Sequence, residues 1–339
     1  MSDISENVQS NKNSSTLKKM LPGLVISLAA LAVLLLLVDL EDVKEAIQLA
    51  DYRYLFPTAV VFFITIGARS LGWRAILQEK ISFTKAFLTE NEGYLLNNVL
   101  PFRLGEIGRA FLLSRTTPLS FWEVLSTIMV ERIFDVGLMA GFLLLTVPFV
   151  IGADWAYEAA VIAGSLVVAG FVALYVIARN KGRTVTLFTR LTKPWPRLTE
   201  FGQDKLESFL DGISALRSLP RFGRVFFWLL ITWIANVLWY YVLLRAFVPD
   251  AQLLWATFAV GVVSLGVAAP STPSYIGVYE AIQVSTLSLF GIENSTALAY
   301  AVVAHSTYFV LTAIFGGIGL ARDGLSLGEI FQQLRNRRT

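Results

Sequence analysis

The chain of 339 residues contains no cysteine and only one histidine, His305. Disulfide bonds and thiolate metal sites are therefore excluded, and a lone imidazole does not build a metal cluster. Charged residues are also scarce: they make up 16% of the chain, compared with about 25% in ordinary soluble domains. A soluble protein organised around a metal or a disulfide framework does not fit these absences.

What the chain has in excess is apolar sequence, with 55% hydrophobic residues and a mean hydropathy of +0.62. Several long runs contain no Lys, Arg, Asp or Glu: 20–38, 136–153, 159–178, 225–244, 251–279 and 294–321. Because about 20 apolar residues cross the hydrocarbon core as one helix, such runs predict transmembrane helices. The expected fold class is all-α, a polytopic membrane protein.

The sequence motifs of common enzymes are missing. No Walker loop, dinucleotide-binding glycine pattern, HExxH or GxSxG occurs. The longest polar loop, 179–224, has 46 residues, which leaves no room for a soluble catalytic domain. We therefore expect no cofactor, no metal and no nucleic acid partner, and the sequence leans away from an enzyme.

Lys and Arg in short loops favour the cytoplasmic side, and their distribution divides the chain into five parts. Residues 1–19 are a polar, disordered cytoplasmic tail, and 20–178 form the first half of the membrane domain. Residues 179–224 form a cytoplasmic loop with ten Lys or Arg and four Asp or Glu. Residues 225–321 form the second half, and 322–339 a basic cytoplasmic tail. The predicted location is the inner (cytoplasmic) membrane, with both termini in the cytoplasm.

Apolar residues recur at helical spacing within the basic loop, at Leu206, Phe209, Leu210, Ile213 and Leu216. This pattern predicts a short amphipathic helix. Two placements remain open for it. The helix lies on the inner leaflet, or it caps the cytoplasmic end of the helix bundle.

Two apolar segments, 86–115 and 251–291, are interrupted at their centres by proline and glycine. A broken backbone at membrane depth has to be buried in protein or line a cavity. We interpret both segments as re-entrant helical hairpins, which gives six transmembrane helices. Full crossing of the second segment raises the number to eight, full crossing of both raises it to ten, and the loop charges fit every count.

The two broken segments also resemble each other. The first contains Leu-Pro101-Phe-Arg-Leu-Gly105-Glu and the second Thr-Pro273-Ser-Tyr-Ile-Gly277-Val. Since the spans that precede them run in opposite directions, the pattern predicts an inverted-topology repeat. Transporters use such repeats to place a binding site near the bilayer midplane.

Six charged residues are embedded in apolar sequence in and after the first hairpin: Arg103, Glu106, Arg109, Glu131, Arg132 and Asp135. Charges at membrane depth are costly and usually functional. We interpret the three arginines as ligands of a lipid phosphate, which guanidinium groups match in geometry, and the three carboxylates as groups that orient them. The alternative is a buried ion-pair network that only fixes helix packing. Arg69 and Arg74 are interpreted as headgroup anchors of the second span.

Glu280 is the only charged side chain of the second broken segment. Together with Pro273 and Gly277 it completes the predicted binding site, where it pairs with an arginine of the first half or carries a proton. The alternative is that Glu280 extends to the protein surface. His305 is interpreted as a hydrogen-bonded packing residue of the last span.

These motifs resemble the lysylphosphatidylglycerol synthase transmembrane family, also described as flippase-like. The resemblance is carried by Asn97-Asn98-Val-Leu-Pro-Phe-Arg-Leu-Gly-Glu-Ile-Gly-Arg, by Glu131-Arg132-Ile-Phe-Asp135 and by residues 273–280. One departure is that Ser274 and Tyr275 stand where relatives commonly have glycines, which implies a pocket of different shape.

The resemblance implies a membrane module without the aminoacyltransferase domain that larger relatives carry. Its implied role is a flippase that moves an aminoacylated or other phospholipid, or a lipid-linked headgroup, between leaflets. The implied partners are membrane lipids with an anionic headgroup or lipid phosphate. The alternative roles are a subunit or scaffold for a separately encoded aminoacyl- or glycosyltransferase, and a membrane-embedded enzyme with Glu106, Glu131 or Asp135 as general base.

Overall fold

The computed structural model describes residues 38–99, 104–152, 154–195, 210–267 and 273–325, with a few single positions between 32 and 37 and between 202 and 207. Every regular element in these ranges is an α-helix or a short 3-10 turn. The predicted all-α fold is confirmed.

Eleven helices are followed through the described ranges. They are α1 Leu40–Leu49, α2 Leu55–Ile76, α3 Phe83–Val99, α4 Leu104–Thr116, α5 Phe121–Ile151, α6 Asp154–Arg179, α7 Lys181–Thr192, α8 Leu219–Leu244, α9 Leu253–Gly266, α10 Val278–Leu287 and α11 Asn294–Arg322. Five of them, α2, α5, α6, α8 and α11, are long and apolar enough to cross a bilayer. The span predicted over 20–38 lies outside the described residues, so the total of six to eight stays a prediction.

The two broken segments each form a pair of short helices that pack on one another, α3 with α4 and α9 with α10. The second helix of each pair has 13 and 10 residues, about 20 and 15 Å in length, against a hydrocarbon core of about 30 Å. In each pair, the chain also leaves the hairpin on the side of the membrane from which it entered. Lys80, before α3, lies 2.5 Å from Glu123 at the start of α5, and Trp255 at the start of α9 stacks on Phe290 after α10. This geometry is that of a re-entrant hairpin.

The same packing order occurs in the two halves, α2 to α5 and α8 to α11. In each half the first span packs on its hairpin and on its last span, and the hairpin's second helix packs on that last span. The hairpin of each half also packs on the last span of the other, α3 on α11 and α9 on α5, while α2 packs on α8. Along the chain between α2 and α8, the two spans α5 and α6 each traverse the bilayer. The helices α2 and α8 therefore run antiparallel. An inverted repeat requires this arrangement.

Small residues allow α3 and α4 to approach closely. A Cβ on Gly105 would overlap the Gly93 carbonyl oxygen, and a Cβ on Gly108 would overlap Leu96. The Gly105 N–H also donates to Asn97 Oδ1 at 2.8 Å. This bond joins the start of α4 to the end of α3 across the hairpin turn.

Gly105→Ala is therefore expected to lower the free energy of unfolding by about 1–3 kcal/mol, the usual cost of inserting a methyl group into a packed contact. Gly141→Ala is the matched control, because a Cβ there meets open space. Thermal unfolding in detergent, followed by size-exclusion chromatography, measures both. Equal melting temperatures for the two variants would contradict the close helix contact.

The apolar residues of the basic loop pack on the helix bundle. Leu210, Ile213 and Leu216 are at most 1% exposed and belong to one apolar cluster with Ala75 of α2 and Val130 of α5. Of the two placements that the sequence leaves open, this packing agrees with a cap on the end of the bundle. Phe209 lies outside the described residues.

Candidate functional site

A buried cluster of charges joins α2 to α5. The Arg69 guanidinium ion-pairs with Glu131, and its Nη2 lies 2.6 Å from Asp135 Oδ2. Trp233 on α8 donates to the same carboxylate, with its Nε1 3.0 Å from Asp135 Oδ1. The side chains of Arg69, Glu131 and Asp135 are at most 9% exposed. Because Glu131 lies about 15 Å along α5, these contacts fix three transmembrane helices to one another at membrane depth.

Helix α4 brings Arg109 into the same cluster. The Arg109 guanidinium ion-pairs with Glu131 and lies 3.8 Å above the Trp73 ring, a cation–π arrangement. Its Nη1 is also 3.8 Å from Glu90 Oε1 on α3. Arg109 is only 3% exposed, so these contacts leave no room for a lipid phosphate at its guanidinium.

Arg132 and Glu106 form the accessible edge of the cluster. Arg132 contacts Glu131 Oε1 at 3.0 Å, Asp135 Oδ2 at 3.2 Å and Glu106 Oε1 at 3.4 Å. Its side chain is nevertheless 36% exposed, and that of Glu106 31%. A ligand that approaches from outside the bundle therefore meets this arginine first.

We call these seven residues the arginine cluster: Arg69, Arg109, Arg132, Glu90, Glu106, Glu131 and Asp135. Three guanidinium groups and four carboxylates give a formal charge of −1 when all are ionised. The cluster is therefore close to neutral as it stands and does not present a strong fixed positive charge. Arg103, one of the predicted phosphate ligands, lies outside the described residues.

The interpretation of Arg69 as a headgroup anchor is wrong. It lies seven residues before the end of α2, about 10 Å inward, and its side chain faces α5. Glu90 was not identified from the sequence, although it is fully buried beside Arg109. Its one sequence signal is the polar run Thr89-Glu90-Asn91-Glu92, all four fully buried, in a segment predicted to enter the membrane.

The tip of the second hairpin has an unusual backbone. The turn Pro273–Tyr275 places Ser274 and Tyr275 at φ values of 59° and 61°, and Gly277 follows at 86°. These left-handed conformations strain residues that carry a Cβ. Glycine has no Cβ and would adopt these conformations without that strain.

Glu280 caps this tip and pairs with His305. One carboxylate oxygen accepts from the Gly277 N–H at 2.7 Å, and the other lies 2.6 Å from His305 Nδ1. The predicted pairing of Glu280 with an arginine is not found among the described residues. His305 is hydrogen-bonded, as predicted, and its partner is this carboxylate.

The two hairpin tips meet. Ser274 Oγ lies 3.3 Å from Asn98 Oδ1 at the end of α3, and 3.4 Å from His305 Nε2. Asn98 Nδ2 in turn donates to Thr312 Oγ1 at 3.1 Å. We call Asn98, Ser274, Glu280, His305 and Thr312 the tip cluster. His305 lies about 16 Å along α11, near the middle of a hydrocarbon core of about 30 Å.

Two tyrosines lie between the arginine cluster and the tip cluster. Tyr94 on α3 and Tyr308 on α11 pack edge to face, with ring centroids 5.8 Å apart. Tyr308 is within electrostatic range of both Arg69 and Tyr275. The two polar clusters thus belong to one continuous region inside the membrane domain.

A separate basic cleft of about 640 Å³ lies at the junction of α6 and α7. Its charged lining consists of Arg179, Lys181, Arg183, Arg217 and Glu207. Lys181 is ion-paired with Asp211, and the remaining three cations against one carboxylate favour an anionic group at this surface.

Comparison with known proteins identifies the family. The family described as the lysylphosphatidylglycerol synthase TM region matches residues 20–316. The chain belongs to this family. It is an integral membrane protein, as the sequence predicts.

Archaeal relatives align over most of the chain. A UPF0104 membrane protein of Methanothermobacter thermautotrophicus is 26% identical over 90% of this chain and 96% of its own length. A UPF0104 membrane protein of Methanocaldococcus jannaschii is 22% identical over 88% and 93%. The glycosyltransferase AglD of Haloferax volcanii is 26% identical over 88% of this chain, which spans only 53% of AglD.

Proposed function

We propose that the chain moves a phospholipid, aminoacylated or not, or a lipid-linked headgroup between the leaflets of the cytoplasmic membrane. The observation that carries this proposal is the meeting of two half-crossing hairpins at a polar tip cluster. Polar groups at membrane depth are rare unless they act on a substrate or a proton. A lipid headgroup that passes between the tips meets hydroxyl, amide and imidazole groups in place of hydrocarbon.

The residues of the arginine cluster have different roles in this proposal. Arg132, whose side chain is about one-third exposed, contacts the lipid phosphate, and Glu106 competes with the phosphate for it. Arg69 and Arg109 are buried and ion-paired with carboxylates of α5, so they hold the helices that carry Arg132. A nearly neutral cluster binds an anion weakly, which suits a site that has to release its ligand.

The proposed orientation places the basic cleft on the cytoplasmic side, with both termini. Positive charge next to a membrane surface attracts anionic lipids. The net positive charge of the cleft therefore raises the local concentration of the lipid that the hairpins move.

Arg132→Gln is expected to slow leaflet exchange about tenfold, the effect of one charge-assisted hydrogen bond. The measurement is the bleaching of fluorescent phospholipids in vesicles that contain the purified protein. Arg190→Gln is the control, because Arg190 is exposed on α7 away from the cluster. No exchange above protein-free vesicles by the unmodified protein, with any lipid of a panel, would contradict the proposal itself.

A second candidate is a membrane subunit for a lipid-modifying transferase, favoured by the match to the glycosyltransferase AglD. The loop with the basic cleft would be the contact for such an enzyme. Co-purification of a transferase, lost when Arg183 and Arg217 are replaced by Glu, distinguishes this role from lipid exchange.

A further inference from the structure

The only histidine of the chain forms a buried pair with a carboxylate at the point where the hairpins meet. The side chains of His305 and Glu280 are 14% and 11% exposed. Their 2.6 Å contact leaves His305 Nε2 directed at Ser274 Oγ, 3.4 Å away. Ser274 Oγ is also 3.3 Å from Asn98 Oδ1. A continuous chain of hydrogen-bonding groups thus runs from Glu280 to the other hairpin.

In the part of the chain that the structure describes, the other titratable side chains around this pair are tyrosines. They are Tyr275 in the turn, Tyr279 on α10, Tyr300 and Tyr308 on α11, Tyr94 on α3 and Tyr240 on α8. The Arg69 guanidinium interacts electrostatically with two of these tyrosines, Tyr94 and Tyr308. Tyrosines are ordinarily neutral at physiological pH. Within the described residues, no Lys or Arg forms an ion pair with Glu280.

The charge of the pair therefore depends on one proton. With a neutral imidazole and an ionised carboxylate the pair carries a charge of −1, and with an imidazolium it is neutral. An uncompensated charge is expensive at membrane depth. A proton is the ligand that neutralises this site.

The proton also decides the direction of the hydrogen bonds. A neutral His305 that donates from Nδ1 to Glu280 has an acceptor at Nε2, so the single Ser274 hydroxyl hydrogen points to the imidazole. An imidazolium donates from both nitrogens. Ser274 Oγ then accepts from Nε2, and its hydrogen is free for Asn98 Oδ1 on the first hairpin.

We infer that Glu280 and His305 form a proton-binding site that holds the two hairpin tips together when the proton is bound. This inference rests on the proposed lipid exchange, because it names what regulates the movement of the same hairpins. Proton binding closes the path between the tips, and proton release opens it. Lipid exchange is thereby coupled to pH.

The test compares exchange in vesicles at mildly acidic and mildly alkaline pH. The unmodified protein should be about fivefold slower at the acidic pH, the effect of one net hydrogen bond between the tips. Glu280→Gln and His305→Gln should remove this pH dependence. Asn98→Ala should also remove this pH dependence, because it deletes the hydrogen-bond acceptor on the first hairpin.

A second measurement reads the proton directly in the unmodified protein. Because His305 is the only histidine, ¹⁵N-histidine NMR in lipid nanodiscs reports one imidazole. Conversion to imidazolium on acidification, in the unmodified protein and in Asn98→Ala alike, supports the inference. An imidazole that stays neutral throughout overturns it even if no lipid exchange is detected. A pH dependence that survives in both Gln variants overturns it while the proposed function stands.

Discussion

Arg69→Ala is expected to destabilise the protein more than any other single substitution of the arginine cluster. It leaves Glu131 and Asp135 with one guanidinium fewer inside the bundle, where both carboxylates are at most 9% exposed. Removing one partner of a buried ion pair costs about 3–5 kcal/mol. Thermal unfolding in detergent should show a large fall in melting temperature, or loss of the monodisperse protein.

Three variants separate this effect from a general loss of charge. Arg190→Ala removes an exposed arginine and should leave stability unchanged. Arg69→Lys keeps the charge without the planar fork and should recover part of the loss. Asp135→Asn in the Arg69→Ala background restores the charge balance and should recover another part. A melting temperature of Arg69→Ala equal to that of the unmodified protein would contradict the buried ion pairing of Arg69 with Glu131 and Asp135.

A cross-link between the hairpin tips is expected to abolish lipid exchange. Asn98 and Ser274 contact each other across the two tips, and the chain contains no cysteine that would interfere. Asn98→Cys and Ser274→Cys together should therefore react with a short thiol cross-linker. If headgroups pass between the tips, exchange should fall to the rate of protein-free vesicles and return when the cross-link is cleaved.

The matched control joins the same α3 to the end of α11, away from the tips. Lys85 at the start of α3 lies 2.5 Å from Asp323 after α11, so cysteines at these positions should react with a thiol cross-linker long enough to replace the lysine side chain. This second cross-link should leave exchange unchanged. Full exchange through protein whose tips are joined would show that lipids take another route, and a failure of the tip cysteines to react would contradict the contact itself.

Much of the architecture follows from the sequence. Long apolar runs and the two proline–glycine breaks predict the helices and the hairpins, because segment length and backbone geometry are local properties. Helical spacing also predicts that Glu131 and Asp135 share one face of α5. Glu106 and Arg109 of α4 come together with the charged residues of α5, because polar groups at membrane depth pack on one another and away from lipid.

The rest depends on contacts between distant segments. Arg69 lies 62 residues from Glu131, and the sequence of α2 alone does not determine which neighbour its polar face meets. The pairing of Glu280 with His305 is likewise set by how α10 packs on α11. The left-handed backbone at Ser274 and Tyr275 has no local signal, since neither residue favours that conformation.

The most direct test of the account is the position of a bound lipid phosphate in a cryo-electron microscopy map of the protein in lipid nanodiscs. The account predicts phosphate density within hydrogen-bonding distance of Arg132, at the depth of the hairpin tips. Phosphate density confined to the two bilayer surfaces, with the Arg132 guanidinium occupied only by Glu106, Glu131 and Asp135, would contradict it.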